Sequence, residues 1–81
     1  MMWYVYILCC GDDTLYTGIT DDVEKRLAAH RAGKGAKYTR GRSPLELIYV
    51  EEQSDKSAAL RREIAIKKLS RKRKMELCSG K

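Results

Sequence analysis

Residues 3–20 read WYVYILCCGDDTLYTGIT: two runs of aromatic, aliphatic and β-branched residues parted by Gly11, Asp12 and Asp13. Trp3–Cys10 and Leu15–Thr20 therefore predict the two strands of a hairpin. Both runs are apolar at nearly every position, as in strands covered on both faces. Side chains alternate across a strand, so the length of the connecting loop decides which tyrosines share a face. A three-residue loop at 11–13 pairs Cys10 with Thr14 and Tyr6 with Gly18. That register puts Tyr6 and Tyr16 on one face, with space beside the Tyr6 ring where Gly18 has no side chain. A two-residue turn at Asp12-Asp13 would send the two phenols to opposite faces. The three-residue loop is the expectation.

Outward from the hairpin, Asp21 with Glu24 three residues later resembles a capping box. Val23, Leu27 and Ala28 then form a helical stripe that ends near Gly33. Residues 33–44 (GKGAKYTRGRSP) read as a glycine-rich basic loop, and Leu45–Val50 (LELIYV) as a third strand. Ser54 or Asp55 caps a longer helix through about Leu69, and Ser70 interrupts it before a short basic terminal helix. On the longer helix Ala59, Leu60, Ile64 and Ile66 define the apolar sector, and Glu63 falls inside it. An acid on such a stripe needs a partner, because burying it alone is costly. The predicted fold is α+β: a three-stranded antiparallel sheet flanked by helices, in the order β-β-α-β-α-α.

With 81 residues the chain has room for one domain, 1–81, and no second core. The three cysteines form no C-x-x-C spacing and His30 is the only histidine, which excludes the usual zinc patterns. An odd cysteine count with no basic, signal-like leader reads as reduced cytosolic thiols. The apolar run Trp3–Cys10 is far too short to span a bilayer. A cytoplasmic protein without a membrane role is expected. The formal charge of +6 is unevenly spread. Residues 30–44 hold Arg31, Lys34, Lys37, Arg40 and Arg42 without an acid, and residues 55–74 hold nine Lys/Arg against Asp55 and Glu63. Two basic blocks point to a polyanion partner, since phosphate contacts release counterions. A solvated basic face explains the charge alone equally well.

Tyr4-Val5-Tyr6, then Tyr16-Thr17-Gly18, then Arg26 and His30 on a helix, then a carboxylate on a later helix, resembles the GIY-YIG nuclease family. LYTGIT, KGAKYTRGR and LRREIAIKKLS resemble its small stand-alone bacterial members, the YhbQ-like proteins, and the likeness covers almost the whole chain. It implies a metal-dependent endonuclease that cleaves phosphodiester bonds in DNA, structured or single-stranded, with one Mg²⁺ (or Mn²⁺). It implies that Glu63 holds the metal, that Arg26 clamps phosphate, and that Tyr6 or Tyr16 accepts a proton or positions water. Gly18 belongs to the motif, and His30 has a supporting role. Such chemistry needs a deprotonated water and positive charge on the developing negative charge, and a nearby cation can lower a phenol's pKa of about 10. Lys34, Lys37, Tyr38, Arg40 and Arg42 are the expected backbone-gripping residues of the basic loop.

The chain departs from many family members in having no asparagine and in carrying Ile19, not lysine, after Gly18. Tyr4 stands where the family has its first glycine and is read as structural. With no separate DNA-binding domain, target selection is expected to fall to a partner protein or a homodimer. Each residue also has a plainer reading. The tyrosines could be strand aromatics, Arg26 could pair with Asp22, His30 could end its helix, Glu63 could pair with Lys67, and the four basic residues at 71–74 point in all directions. The second reading is a non-catalytic nucleic-acid-binding module with the same fold.

Overall fold

A computed structural model describes residues 2–80 of the chain. Its elements are β1 (Trp3–Cys9), β2 (Leu15–Thr20), α1 (Val23–Arg31), a 3-10 turn at Lys37–Thr39, β3 (Glu46–Gln53), α2 (Lys56–Lys67) and α3 (Arg71–Cys78). The three strands form one antiparallel sheet in the order β2-β1-β3. The class and element order are those expected, and no helix is long and apolar enough to cross a membrane.

The hairpin register is the one on which the site depends. The Cys10 N–H donates to the Thr14 carbonyl at 2.8 Å, and Asp13 returns a bond to the Cys10 carbonyl at 2.9 Å. Asp13 closes this three-residue loop at φ 68°, a left-handed conformation that Asp tolerates better than most residues. Tyr6 consequently faces Gly18.

β1 is central, and Val5, Tyr6, Ile7 and Leu8 are all buried. Val5 and Ile7 pack on one face with Ala59 and Ile66 of α2, and Ile19, Ile48 and Leu77 close around them. Each fully buried aliphatic side chain contributes roughly 1.5–3 kcal/mol. The other face carries Tyr6, paired with Gly18, and receives His30 from α1.

Helix details differ from expectation in ways that matter for function. Asp22, not Asp21, caps α1, accepting from the Lys25 N–H at 3.0 Å. The stripe Val23, Leu27, Ala28 is not the buried face: Val23 and Leu27 are half-buried, Ala28 is exposed, and His30 alone is buried. The helix can bury a histidine because both ring nitrogens find partners. Asp55 caps α2 and Ser70 caps α3. On α2 only Ala59 and Ile66 are buried, whereas Leu60 and Ile64 are 41% and 54% exposed. At 100° per residue, Ala59, Glu63 and Ile66 lie within about 60° of one another, and Leu60 and Ile64 lie about 100° and 140° from Ala59. The buried sector is thus the one containing Glu63. β3 also runs three residues past Val50. Its Glu51 is satisfied by Tyr49 Oη (2.5 Å), Gln53 Nε2 (2.6 Å) and Arg62 Nε of α2 (2.8 Å), which ties the helix to the sheet edge.

Candidate active site

On the α1 face of the sheet the residue types dictate a directed chain of hydrogen bonds. The Thr39 hydroxyl donates to the Ala36 carbonyl at 2.9 Å, so its oxygen accepts from His30 Nδ1, also at 2.9 Å. The proton is therefore on Nδ1, and the bare Nε2 accepts from the Tyr6 hydroxyl at 2.8 Å. All three side chains are buried. The Tyr16 ring packs edge-on against the His30 ring at 5.3 Å and stands 6.3 Å from the Tyr6 ring. Two glycines make this packing possible. A Cβ at Gly18 would lie 2.6 Å from Tyr6 Oη, and one at Gly35 would lie 2.4 Å from His30 Nδ1.

Arg26, one turn before His30, brings its guanidinium against Tyr6 and also Tyr16. It does not pair with Asp22, whose carboxylate caps the helix. Its Nε is buried without a hydrogen-bond partner among the described residues. A buried guanidinium donor without a protein partner, set beside two phenols, has the chemistry to meet an oxyanion. The same residue lines an open cavity of about 250 Å³ between the end of β2 and α1, with Thr20, Asp21, Asp22, Lys25 and Ala29.

The electrostatics separate the roles of these groups. Burial pushes the Tyr6 phenol above its ordinary value, and this outweighs the lowering by Arg26. The expected drop in phenol pKa is thus reversed at Tyr6: a standing phenolate is disfavoured in so dry a position. Burial, and then the Arg26 charge, push the His30 imidazole below its ordinary value, so it is neutral at pH 7. The result is a neutral acceptor already bonded to the Tyr6 proton.

Glu63 lies apart from these hydrogen bonds. Its carboxylate is largely buried, pairs with Lys67 of the same helix at 3.4 Å, and adds its charge to the field on the Tyr6 phenol. No group of three or more His, Cys, Asp or Glu side chains among the described residues is arranged to hold a metal. A lone carboxylate still suits Mg²⁺, which keeps several waters and takes its remaining oxygens from substrate phosphate. Glu63 therefore fits a one-ligand site.

In the basic loop, Lys34, Lys37 and Arg40 are exposed, as a phosphate-gripping role requires. Tyr38 stacks at 5.7 Å on Tyr16, joining the loop to the phenols. Arg42 departs from its expected phosphate contact. It forms an ion pair with Asp12, donates through Nε to the Tyr38 carbonyl at 2.7 Å, and lies 4.5 Å over the Tyr38 ring. Its work is to fasten the loop to the hairpin turn. Thr39 and Gly35 went unread in the sequence. The only available signal was that a single buried histidine must find two partners, and nothing local names them.

The GIY-YIG catalytic domain matches residues 2–76. The chain belongs to the GIY-YIG family. Its GIY-YIG relatives include a UPF0213 protein of Natronomonas pharaonis, 60% identical over 74 residues that span 91% of this chain and 87% of the relative. A UPF0213 protein of Clostridium perfringens is 55% identical over 80 residues, covering 99% of this chain and 86% of that one. Among solved structures, the solution NMR structure of a UPF0213 protein from Bacillus halodurans superposes with a TM-score of 0.64 at 49% identity, covering 100% of this chain and 86% of its own. A second, from E. faecalis, gives 0.68 at 39% identity, covering 99% and 85%. The match places the chain in a nuclease-type family.

Proposed function

We propose that this GIY-YIG protein is a phosphodiesterase that cuts DNA strands endonucleolytically, with the Tyr6–His30 couple removing the proton of the attacking water. The observation that carries the reading is the buried bond from Tyr6 Oη to the bare Nε2 of His30 beside an unpartnered Arg26 donor. As water attacks phosphorus, its proton passes to the Tyr6 oxygen while the phenol proton passes to His30. No free phenolate forms, which suits a phenol raised by burial. Burial and the Arg26 charge lower the His30 pKa, so the imidazole is free to accept a proton at pH 7. Arg26 takes the non-bridging oxygens, where its half-buried guanidinium acts at a lower effective dielectric than water. Tyr16 and Gly18 keep the Tyr6 ring in place. Glu63 would hold a single Mg²⁺ or Mn²⁺, which supplies positive charge for the leaving oxygen when bound.

The test is cleavage of end-labelled single-stranded, duplex and branched DNA with and without Mg²⁺. Arg26→Ala is expected to slow cleavage on the order of 10²–10³-fold, the usual loss for one oxyanion donor. Glu63→Gln should raise the Mg²⁺ concentration needed for half-maximal rate. Cleavage unchanged in both variants contradicts the reading.

One observation favours a second reading. Glu63 already has Lys67 as a partner, so an acid needing no metal is consistent with a module that binds strands without cutting them. Binding without any metal-dependent cleavage would select it.

A further inference from the structure

Tyr38 has a second neighbourhood, away from Tyr16. Its ring, Thr14 and Leu15 at the start of β2, and Arg71 and Lys74 of α3 enclose a separate open cavity of about 220 Å³. Arg71 and Lys74 stand three apart and so share a helix face. This settles the orientation of the basic residues at 71–74: two line the cavity, Arg73 turns to Glu76 at 4.0 Å, and Lys72 is exposed. Arg71 is held across the hairpin turn by the Asp13 carbonyl at 2.5 Å and by its carboxylate at 3.3 Å, on a rim where Asp13 is 83% exposed. Lys74 is half-buried, and no carboxylate of the described residues lies within ion-pair distance of it. No acid lines the cavity. Two cations converge there, one of them partly desolvated without a counter-charge, an arrangement that an anion relieves.

We propose that this cavity is a phosphate subsite for the strand beside the cut, with Lys74 and Arg71 taking a flanking phosphodiester as the chain passes over Tyr38. Tyr38 packs on Tyr16, and Tyr16 packs edge-on against His30, so aromatic contacts run unbroken from the hydrolytic couple to this cavity. The cavity has room for a phosphate and part of a sugar and is open to solvent, so a strand can pass over it with one phosphate inside. This inference rests on the hydrolytic reading only for the direction of the strand. The cation pocket itself is independent of it.

The test is binding of a fluorescent single-stranded oligonucleotide in EDTA, where no metal-dependent cleavage intervenes, across a salt series. Lys74→Gln is expected to weaken binding about tenfold at low salt and to lower the slope of log affinity against log salt by about 0.7, the loss of one single-strand phosphate contact. Lys72→Gln, with an unchanged local fold by circular dichroism, is expected to alter neither by more than a small fraction. Replacing single linkages in turn with neutral methylphosphonate should reveal one position whose neutralisation weakens wild-type protein and leaves Lys74→Gln unaffected. Equal losses in the Lys72 and Lys74 variants, or no such position, would overturn the subsite in favour of diffuse charge. A Lys74-specific loss in a protein that never cleaves would uphold the subsite and remove the hydrolytic reading alone.

Discussion

His30 is the most informative residue because it is the only imidazole, so its titration can be read by NMR without assignment ambiguity. Burial and Arg26 depress its pKa, and the signal is expected to titrate below the ordinary 6.5. The sign for stability follows. The unfolded chain takes up the proton first as pH falls, so His30's contribution is whole above about 6.5 and is lost as pH drops toward the depressed folded value. His30→Gln should flatten that part of the stability–pH curve, and an imidazole titrating at or above 6.5 in the folded protein would contradict the buried neutral ring. Gly18 is as sharply constrained. Gly18→Ala drives a methyl into Tyr6 Oη and Cζ and should cost about 1–3 kcal/mol in urea unfolding, the range for overpacking. Tyr6, Tyr16 and Gly18 were legible as a set because hairpin parity fixes the face they share, and motif order added Arg26 from α1. The His30–Thr39 bond was not, since its partner comes from a loop with no periodic signal.

Elements followed local rules at the hairpin and the Ser70 break, the α1 cap fell one residue from its expected place, at Asp22, and the largest departures came where tertiary contact decided. Of the two cap candidates Ser54 and Asp55, it is Asp55 that caps α2. The hairpin and the Ser70 break follow from residue chemistry alone. The buried face of α2 does not. Four apolar residues suggested a stripe through Leu60 and Ile64, but the sheet takes Ala59 and Ile66, and the Arg62–Glu51 pair helps set the helix's rotation. This makes a sharp contrast in stability. Ile66→Ala is expected to cost about 2–5 kcal/mol, the range for large-to-small core changes. Leu60→Gln and Ile64→Gln should each stay within about 0.5 kcal/mol, as surface changes do. A large loss from either glutamine variant would mean that α2 is rotated from the position described. That rotation would also move Glu63.

Across the whole molecule the charge is organised by what each cation already touches. Arg42, Arg62 and Lys67 serve internal acids, whereas Lys34, Lys37, Arg40, Lys72 and Lys74 form no ion pair among the described residues. The total of seventeen Lys and Arg therefore overstates the cations that need explaining, but those without an ion pair are enough to favour a polyanion. Binding of DNA should weaken steeply with salt, and a flat dependence would remove the phosphate contacts altogether. The most direct test of the central claim is a double-mutant cycle on single-turnover DNA cleavage with Tyr6→Phe, His30→Gln and both together. If the phenol and imidazole act as one proton-accepting couple, the double variant is no slower than the slower single variant. Losses that multiply, each residue contributing independently, would contradict it.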